Sequence, residues 1–149
     1  MREILFRGKR LDNGEWIYGC YCKGQVLDQF GVPRPFCYIN NEEIGFIDVD
    51  PNTIGEYTGL EDKNDNRIFE GDRIRYKFAP DPHASYHGSS PKSYMIEAVV
   101  EWCDKRKCLV YRRTTPKSKK HPSRNVQSRL IGDRHISSIE IVGNIHENS

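Results

Sequence analysis

Long apolar runs are missing from this chain. No stretch of its 149 residues approaches the roughly 20 apolar residues that cross a bilayer as a helix. The opening Met1-Arg2-Glu3-Ile4-Leu5-Phe6-Arg7 has too short an apolar run for a secretory leader. The expectation is a soluble, cytoplasmic chain with no membrane partner. A disulfide framework is also missing. The five cysteines are odd in number, and their spacings match no familiar pattern. Cys20, Cys22, Cys103 and Cys108 would supply four thiolates if they converged, but neither pair has the C-x2-C spacing of a zinc knuckle. Reduced structural thiols, with no bound metal, are the expectation.

Catalytic signatures are absent as well. There is no G-x-S-x-G elbow, no Walker loop, no G-x-G-x-x-G and no H-E-x-x-H. His83 and His87 are four apart but sit among Pro, Gly and Ser, and His121, His135 and His146 are scattered. The run Asp62-Lys63-Asn64-Asp65-Asn66 has oxygen ligands at alternate positions, as a calcium loop does. Its sixth and twelfth positions, however, are Arg67 and Arg73, where an EF-hand needs Gly and Glu. It therefore reads as a polar turn. Glu42-Glu43 reads as loop charge. No enzyme and no cofactor are expected.

Helical periodicity is lacking too. Only Ser123–Leu130 would form a helical turn or two. What is present is a series of short β segments. Ile4–Arg7 and Glu15–Cys22, joined across Asp12-Asn13-Gly14, read as an N-terminal hairpin. Gly24–Pro35 reads as loop, because Gly31, Pro33 and Pro35 are breakers. Further strands are expected at Phe36–Ile39, Ile44–Val49, Thr53–Thr58, Arg67–Phe69, Tyr94–Trp102, Cys108–Arg112 and Ile136–Ile145. Arg73-Ile74-Arg75-Tyr76-Lys77-Phe78 alternates basic with apolar, which places Ile74, Tyr76 and Phe78 inward. Ala79–Lys92 and Thr114–Ser128 are polar, proline-containing long loops. The class is all-β. One domain spans 1–149, with an N-terminal β unit over 1–50 and a barrel-like unit over 51–149.

Charge is uneven. Met1–Glu70 carries a balance of −5 and Gly71–Ser149 one of +7, so the overall +2 conceals a basic second half. Arg112, Arg113, Lys117, Lys119, Lys120 and Arg124 fall close together with no acidic residue among them. Lys105, Arg106 and Lys107 occupy the expected hairpin tip nearby, and Arg73 and Arg75 point outward from their strand. Such cations would clamp phosphates by releasing counterions, with Tyr76, Trp102 or Tyr111 stacking bases if exposed. They would equally dock an acidic protein surface, such as the N-terminal half of another copy, or simply keep a loop solvated.

Several blocks carry a family resemblance. They are Val49-Asp50-Pro51-Asn52-Thr53-Ile54-Gly55-Glu56-Tyr57-Thr58-Gly59-Leu60-Glu61-Asp62-Lys63-Asn64, then Arg67-Ile68-Phe69-Glu70-Gly71-Asp72-Arg73-Ile74, the opening Met1–Gly8, and the closing Ile139–Asn148. In this order they resemble the YopX-like proteins of bacteriophages and prophages. Ala79–Lys92 and Thr114–Ser128 look like elaborations of this member. The resemblance implies an all-β fold whose part after about Asp50 is a small, strongly bent, SH3-like barrel. It also implies a phage or prophage gene expressed in a bacterial cytoplasm, and brings no catalytic residues with it. Asp72, after the Glu70-Gly71 turn, is expected to be structural, capping that turn through backbone hydrogen bonds. The functional expectation is a non-enzymatic phage or prophage accessory protein, an interaction module of unknown target, with a homo-oligomer, a protein partner and nucleic acid all open as partners. The alternative is a nucleic-acid-binding module using the basic half.

Overall fold

In a computed structural model, residues 3–78, 93–105, 108–113, 127–129 and 138–147 are described. They form two antiparallel sheets, as the all-β reading requires. The chain divides into two compact units, Met1–Gly59 and Leu60–Ser149.

The first unit is built on β1 (Phe6–Lys9), β2 (Trp16–Leu27), β3 (Pro33–Asn41), β4 (Gly45–Asp48), a 3-10 turn (Pro51–Thr53) and the start of β5 (Gly55–Glu61). The Asn13-Gly14 signal is realised. Gly14 takes φ +72°, its N–H donates to Arg10 O at 3.0 Å, and Arg10 N–H donates to Glu15 O at 2.9 Å. Strand order is β4-β3-β2-β1-β5. Ile17, Ile39 and Val49 are buried at the centre, with Phe6, Tyr21, Cys37, Ile47 and Ile54 packed around them. Asp50 starts the 3-10 turn by accepting from Asn52 N–H, and Thr53 closes it back onto β1 by accepting from Lys9 N–H at 2.8 Å.

The expected loop over Gly24–Pro35 is a correction. β2 runs on to Leu27 and β3 already begins at Pro33, in continuous register from Cys20↔Asn40 to Leu27↔Pro33. Two facts explain it. Phe36 lies over Gly24, so close that a Cβ there would be 2.7 Å from the ring; the ring supplies the cross-strand packing that glycine lacks. Cys37 O accepts from Val49 N–H at 3.1 Å, so Cys37 turns its backbone polar groups away from β2. By alternation Pro35 and Pro33 do the same. Their missing donors fall on the open edge, where a ladder needs none.

The second unit contains β6 (Arg67–Phe69), β7 (Asp72–Phe78), β8 (Tyr94–Cys103), β9 (Cys108–Arg113), β10 (Gln127–Arg129) and β11 (Glu140–Asn144). Its sheet has the order β10-β9-β8-β7-β11. Alternation behaves as predicted: Ile74 and Tyr76 are buried and Phe78 packs against them, alongside Ile96, Ala98, Val100, Leu109, Tyr111 and Ile139. Tyr76 meets Tyr111 edge-on at 5.3 Å between ring centres, a favoured aromatic arrangement.

The barrel expectation is also corrected. Among the described residues this sheet is open, with the three-residue β10 at one edge and β11 at the other, held apart by β9, β8 and β7. Residues 127–129 are strand, paired to β9 through Ser128↔Tyr111, and not the end of a loop or a helical turn. The loop expected at Ala79–Lys92, and that at Thr114–Ser128 before Gln127, lie outside the described residues. Among the described residues no helix is long and apolar enough to cross a membrane.

Candidate functional site

Strand lengths in the first unit are unequal, and that creates a projecting arm. β1 pairs with Trp16–Gly19 only, and β4 reaches β3 only at Tyr38–Asn41. Beyond them Gly24–Leu27 and Pro33–Phe36 pair with one another alone. A two-stranded ribbon has no sheet neighbour to bury its side chains. Its end carries Val26, Leu27, Phe30 and Val32, all exposed, with Phe30 81% accessible.

The tip is nevertheless fixed. Asp28 Oδ1 accepts from the N–H groups of Phe30 and Val32, both at 2.9 Å. Asp28 N–H donates to Val32 O and Gly31 N–H to Asp28 O. Gly31 takes φ +75°. Arg34 Nε donates to Asp28 Oδ2 at 3.1 Å. The Val32 N–H, with Phe30 N–H and Arg34, holds the Asp28 carboxyl below its usual range against a smaller effect of burial. The carboxylate thus organises a turn that presents an apolar crown.

At the base of the arm lies a groove of about 580 Å³. Tyr21, Lys23 and Gln25 share one side of β2 by alternation, and their register partners on β3 are Ile39, Cys37 and Pro35. This is the core face continued past the residues that cover it; Leu11 and Pro51 close its margins. Cys37 Sγ donates to Tyr21 Oη at 3.8 Å. Burial pushes both the Cys37 thiol and the Tyr21 hydroxyl above their usual pKa values. Lys23 is exposed and makes no ion pair among the described residues. The opposite face carries an aromatic row, with Phe36 stacked on Tyr38 at 5.1 Å and Tyr38 edge-on to Phe46 at 6.4 Å.

Five of the cations singled out from the sequence, Arg73, Arg75, Lys105, Arg112 and Arg113, lie among the described residues, and in the register Arg73 and Arg112 both stand opposite Val99. Arg75 Nη2 lies 3.3 Å from Glu140, which also takes Lys63 at 3.1 Å; Lys63 and then Arg75 hold the Glu140 carboxyl below its usual range. Arg112 Nε donates to both Glu101 oxygens, at 3.2 and 3.0 Å. The Arg113 guanidinium stands 5.7 Å from the centre of the Phe78 ring. Arg73 and Lys105 are exposed. Arg106, Lys107, Lys117, Lys119, Lys120 and Arg124 lie outside the described residues. Of the aromatics considered for stacking, Tyr76 and Tyr111 are core residues, while Trp102 is exposed and donates its indole N–H to Asp104 at 3.1 Å. Cys20 and Cys22 are exposed and Cys103 is buried, opposite Cys108 in the β8–β9 register. Among the described residues no group of three or more His, Cys, Asp and Glu is placed to hold a metal ion.

The family model for the YopX protein matches residues 5–149. The chain belongs to the YopX family. Its blocks around Asp50–Asn64 and Arg67–Ile74 are the capped 3-10 turn, β5 and the β6–β7 turn of this fold. No curated protein matches this YopX chain. Among solved structures it is similar to protein EF1440 from Enterococcus faecalis, at 18% identity and a TM-score of 0.42, over 99% of this chain and 96% of that one.

The arm was not legible as a site. Val26-Leu27-Asp28-Gln29-Phe30-Gly31-Val32 does carry a signal, four apolar residues set around an Asp and a Gly in a turn. The glycines and prolines on either side concealed the strands that hold it up.

Proposed function

We propose that this YopX protein is a non-enzymatic protein-interaction module of a phage or prophage, acting in the bacterial cytoplasm through the β2–β3 arm. The observation that carries the reading is a pre-formed turn holding Phe30 and Leu27 in solvent at the end of a ribbon with no sheet neighbour. A rigid, exposed aromatic is the usual anchor of a protein interface, and a turn already ordered loses little entropy on binding. The phage context comes from the family resemblance of the Asp50–Asn64 and Arg67–Ile74 blocks.

Quantitative co-purification from host cells, comparing tagged wild type with a Leu27→Asp/Phe30→Asp variant, tests it. Loss of an interface anchor is worth about 2 kcal/mol or more, roughly a 30-fold weakening. A partner lost with the arm variant and kept with an Arg73→Ala/Lys77→Ala variant supports the reading. Partners indifferent to the arm overturn it.

The nucleic-acid reading keeps one specific support. Arg73 and Lys77 alternate along β7, are exposed, and make no ion pair among the described residues. Neutralising both would lower the slope of log affinity against log salt by about 1.8 if each holds a phosphate. Fluorescence anisotropy with duplex and single-stranded DNA and RNA measures this, and an unchanged slope removes both residues from any such surface.

A further inference from the structure

Two thiols face one another across the β8–β9 hairpin of the second unit. Cys103 is the last residue of β8 and Cys108 the first of β9, and the register sets them directly opposite. The neighbouring backbone shows which kind of pair they form. Val100 O accepts from Gly71 N–H, and Trp102 N–H donates to Glu70 Oε1. Residues 100 and 102 thus turn their polar groups away from β9, and by alternation Cys103 turns its own toward it. Cys103 and Cys108 are therefore a hydrogen-bonded pair, with Cα atoms about 5.5 Å apart. A disulfide spans Cα separations of roughly 4.4–6.8 Å. Cβ atoms in such a pair stand at the wide end of cross-strand spacing, about 5.5 Å, where a relaxed disulfide prefers about 3.8 Å. A bond here is within reach but strained, and strained disulfides are the easily reduced ones. Cysteines in the first unit are placed less well. Cys20 and Cys22, two positions apart on β2, are separated by about 6.8 Å at a strand's rise, with side chains side by side. Cys37 stands opposite Lys23.

We propose that Cys103 and Cys108 form a reversible oxidation site, a dithiol that closes to a disulfide when the surrounding thiol pool turns oxidising. The site is independent of the β2–β3 arm. Its oxidant is a low-molecular-weight disulfide. Access divides the work between the two thiols, because Cys108 is half-buried and Cys103 buried. The Cys108 thiolate attacks one sulfur of the oxidant; that S–S bond breaks, one small thiolate leaves, and a mixed disulfide stands on Cys108. The Cys103 thiolate then attacks the Cys108 sulfur, the mixed S–S bond breaks, and a second small thiolate leaves. The two protons lost by the cysteines are taken up by the two departing thiolates. Two electrons pass from the pair to the oxidant. The bond closes a ring around Asp104-Lys105-Arg106-Lys107, the segment that holds three of the cations of the basic half.

The full chain, equilibrated in glutathione buffers of stepped oxidised-to-reduced ratio, acid-quenched, alkylated and digested with trypsin without reduction, tests this. Trypsin cuts after Lys105, Arg106 and Lys107. The bond therefore reads out as the Ser93–Lys105 peptide joined to Cys108–Arg112, two hydrogens lighter than the separate pair. Linked peptide is expected to accumulate as oxidised glutathione rises, in a species that stays at 17.3 kDa on a non-reducing gel, and to vanish on return to reduced buffer. Cys103→Ser should lose the link and hold glutathione on Cys108. Cys108→Ser should lose the link and leave Cys103 without an adduct. Circular dichroism checks that each variant keeps the native sheet, and Cys103→Ala replaces Cys103→Ser if the hydroxyl is not tolerated at the buried position. Absence of the linked peptide at every ratio overturns the proposal. So does a link that forms only in urea, because the native register is what brings the thiols together, and so does one that joins two copies.

Discussion

Asn144 Nδ2 donates to Asp72 Oδ1 at 3.2 Å, a hydrogen bond between residues 72 positions apart, both buried. The second oxygen of Asp72 accepts from Phe69 N–H at 2.8 Å. Ile145 N–H donates to Gly71 O, and Gly71 N–H to Val100 O. Two blocks that identify the family, Glu70-Gly71-Asp72 and Gly143-Asn144, are thus one structural object, a turn locked to the last strand. Asp72 caps that turn, as its position in the sequence suggested.

Asp72→Ala is expected to destabilise the second unit by about 3 kcal/mol, because it leaves the Phe69 N–H and the Asn144 amide buried without an acceptor. Urea unfolding followed by the fluorescence of Trp102 measures this. Asn144→Ala should cost less, since Phe69 keeps its acceptor. A loss below about 1 kcal/mol for Asp72→Ala would mean that water replaces the carboxylate and that the cap is dispensable.

Gly71 occupies φ +88°, a region that costs a residue with a Cβ roughly 1–2 kcal/mol. Space is not the obstacle: an added Cβ would find its nearest neighbour, Ile145 Cγ1, at an ordinary 3.5 Å. Gly71→Ala should therefore lose about 1–2 kcal/mol of stability with the native β-sheet circular dichroism retained. Gly71→Asn, better suited to positive φ, should lose less. Equal losses would show that packing and not φ sets the cost.

Asp62 is buried. Burial alone would raise its pKa, but the N–H groups of Asn66, Ile141 and Asn64, with the Asn66 side chain, outweigh that and hold it below the usual range. The bond to Ile141 N–H, at 3.1 Å, ties the β5–β6 turn to β11. With its folded pKa depressed, Asp62 contributes stability that is present above its unfolded pKa of about 3.9 and lost as pH falls through the folded value. Denaturation midpoints should therefore fall below about pH 4, and Asp62→Asn should flatten that part of the profile. An unchanged acid limb in Asp62→Asn would shift the effect to other carboxylates, Glu140 first among them.

The sequence disclosed the second unit better than the first, for a physical reason. Arg73–Phe78 has one solvent face and one core face, so its side chains alternate and the alternation is visible. The arm has solvent on both faces, so Cys22–Leu27 shows no period, and its glycine and prolines pass for a loop. Their compatibility with strand depends on Phe36 lying over Gly24 and on an edge that asks nothing of Pro33 and Pro35. Both are relations between distant residues. The ion pairs of the cations are hidden for a similar reason: Glu140 and Glu101, which hold Arg75 and Arg112, are distant in sequence and adjacent only across strands.

Thiol chemistry tests the unit cores and the groove together. Cys20 and Cys22 are exposed on β2 and should alkylate first. Cys37 is half-buried in the groove, its pKa pushed up by burial and further by nearby Asp50; since the thiolate is the nucleophile, it should react more slowly. Cys103, inside the second unit, should react only on unfolding. Peptide mass spectrometry after timed iodoacetamide exposure resolves the order. A Cys37 that reacts as fast as Cys20 and Cys22 would show that the groove wall does not shield its thiol.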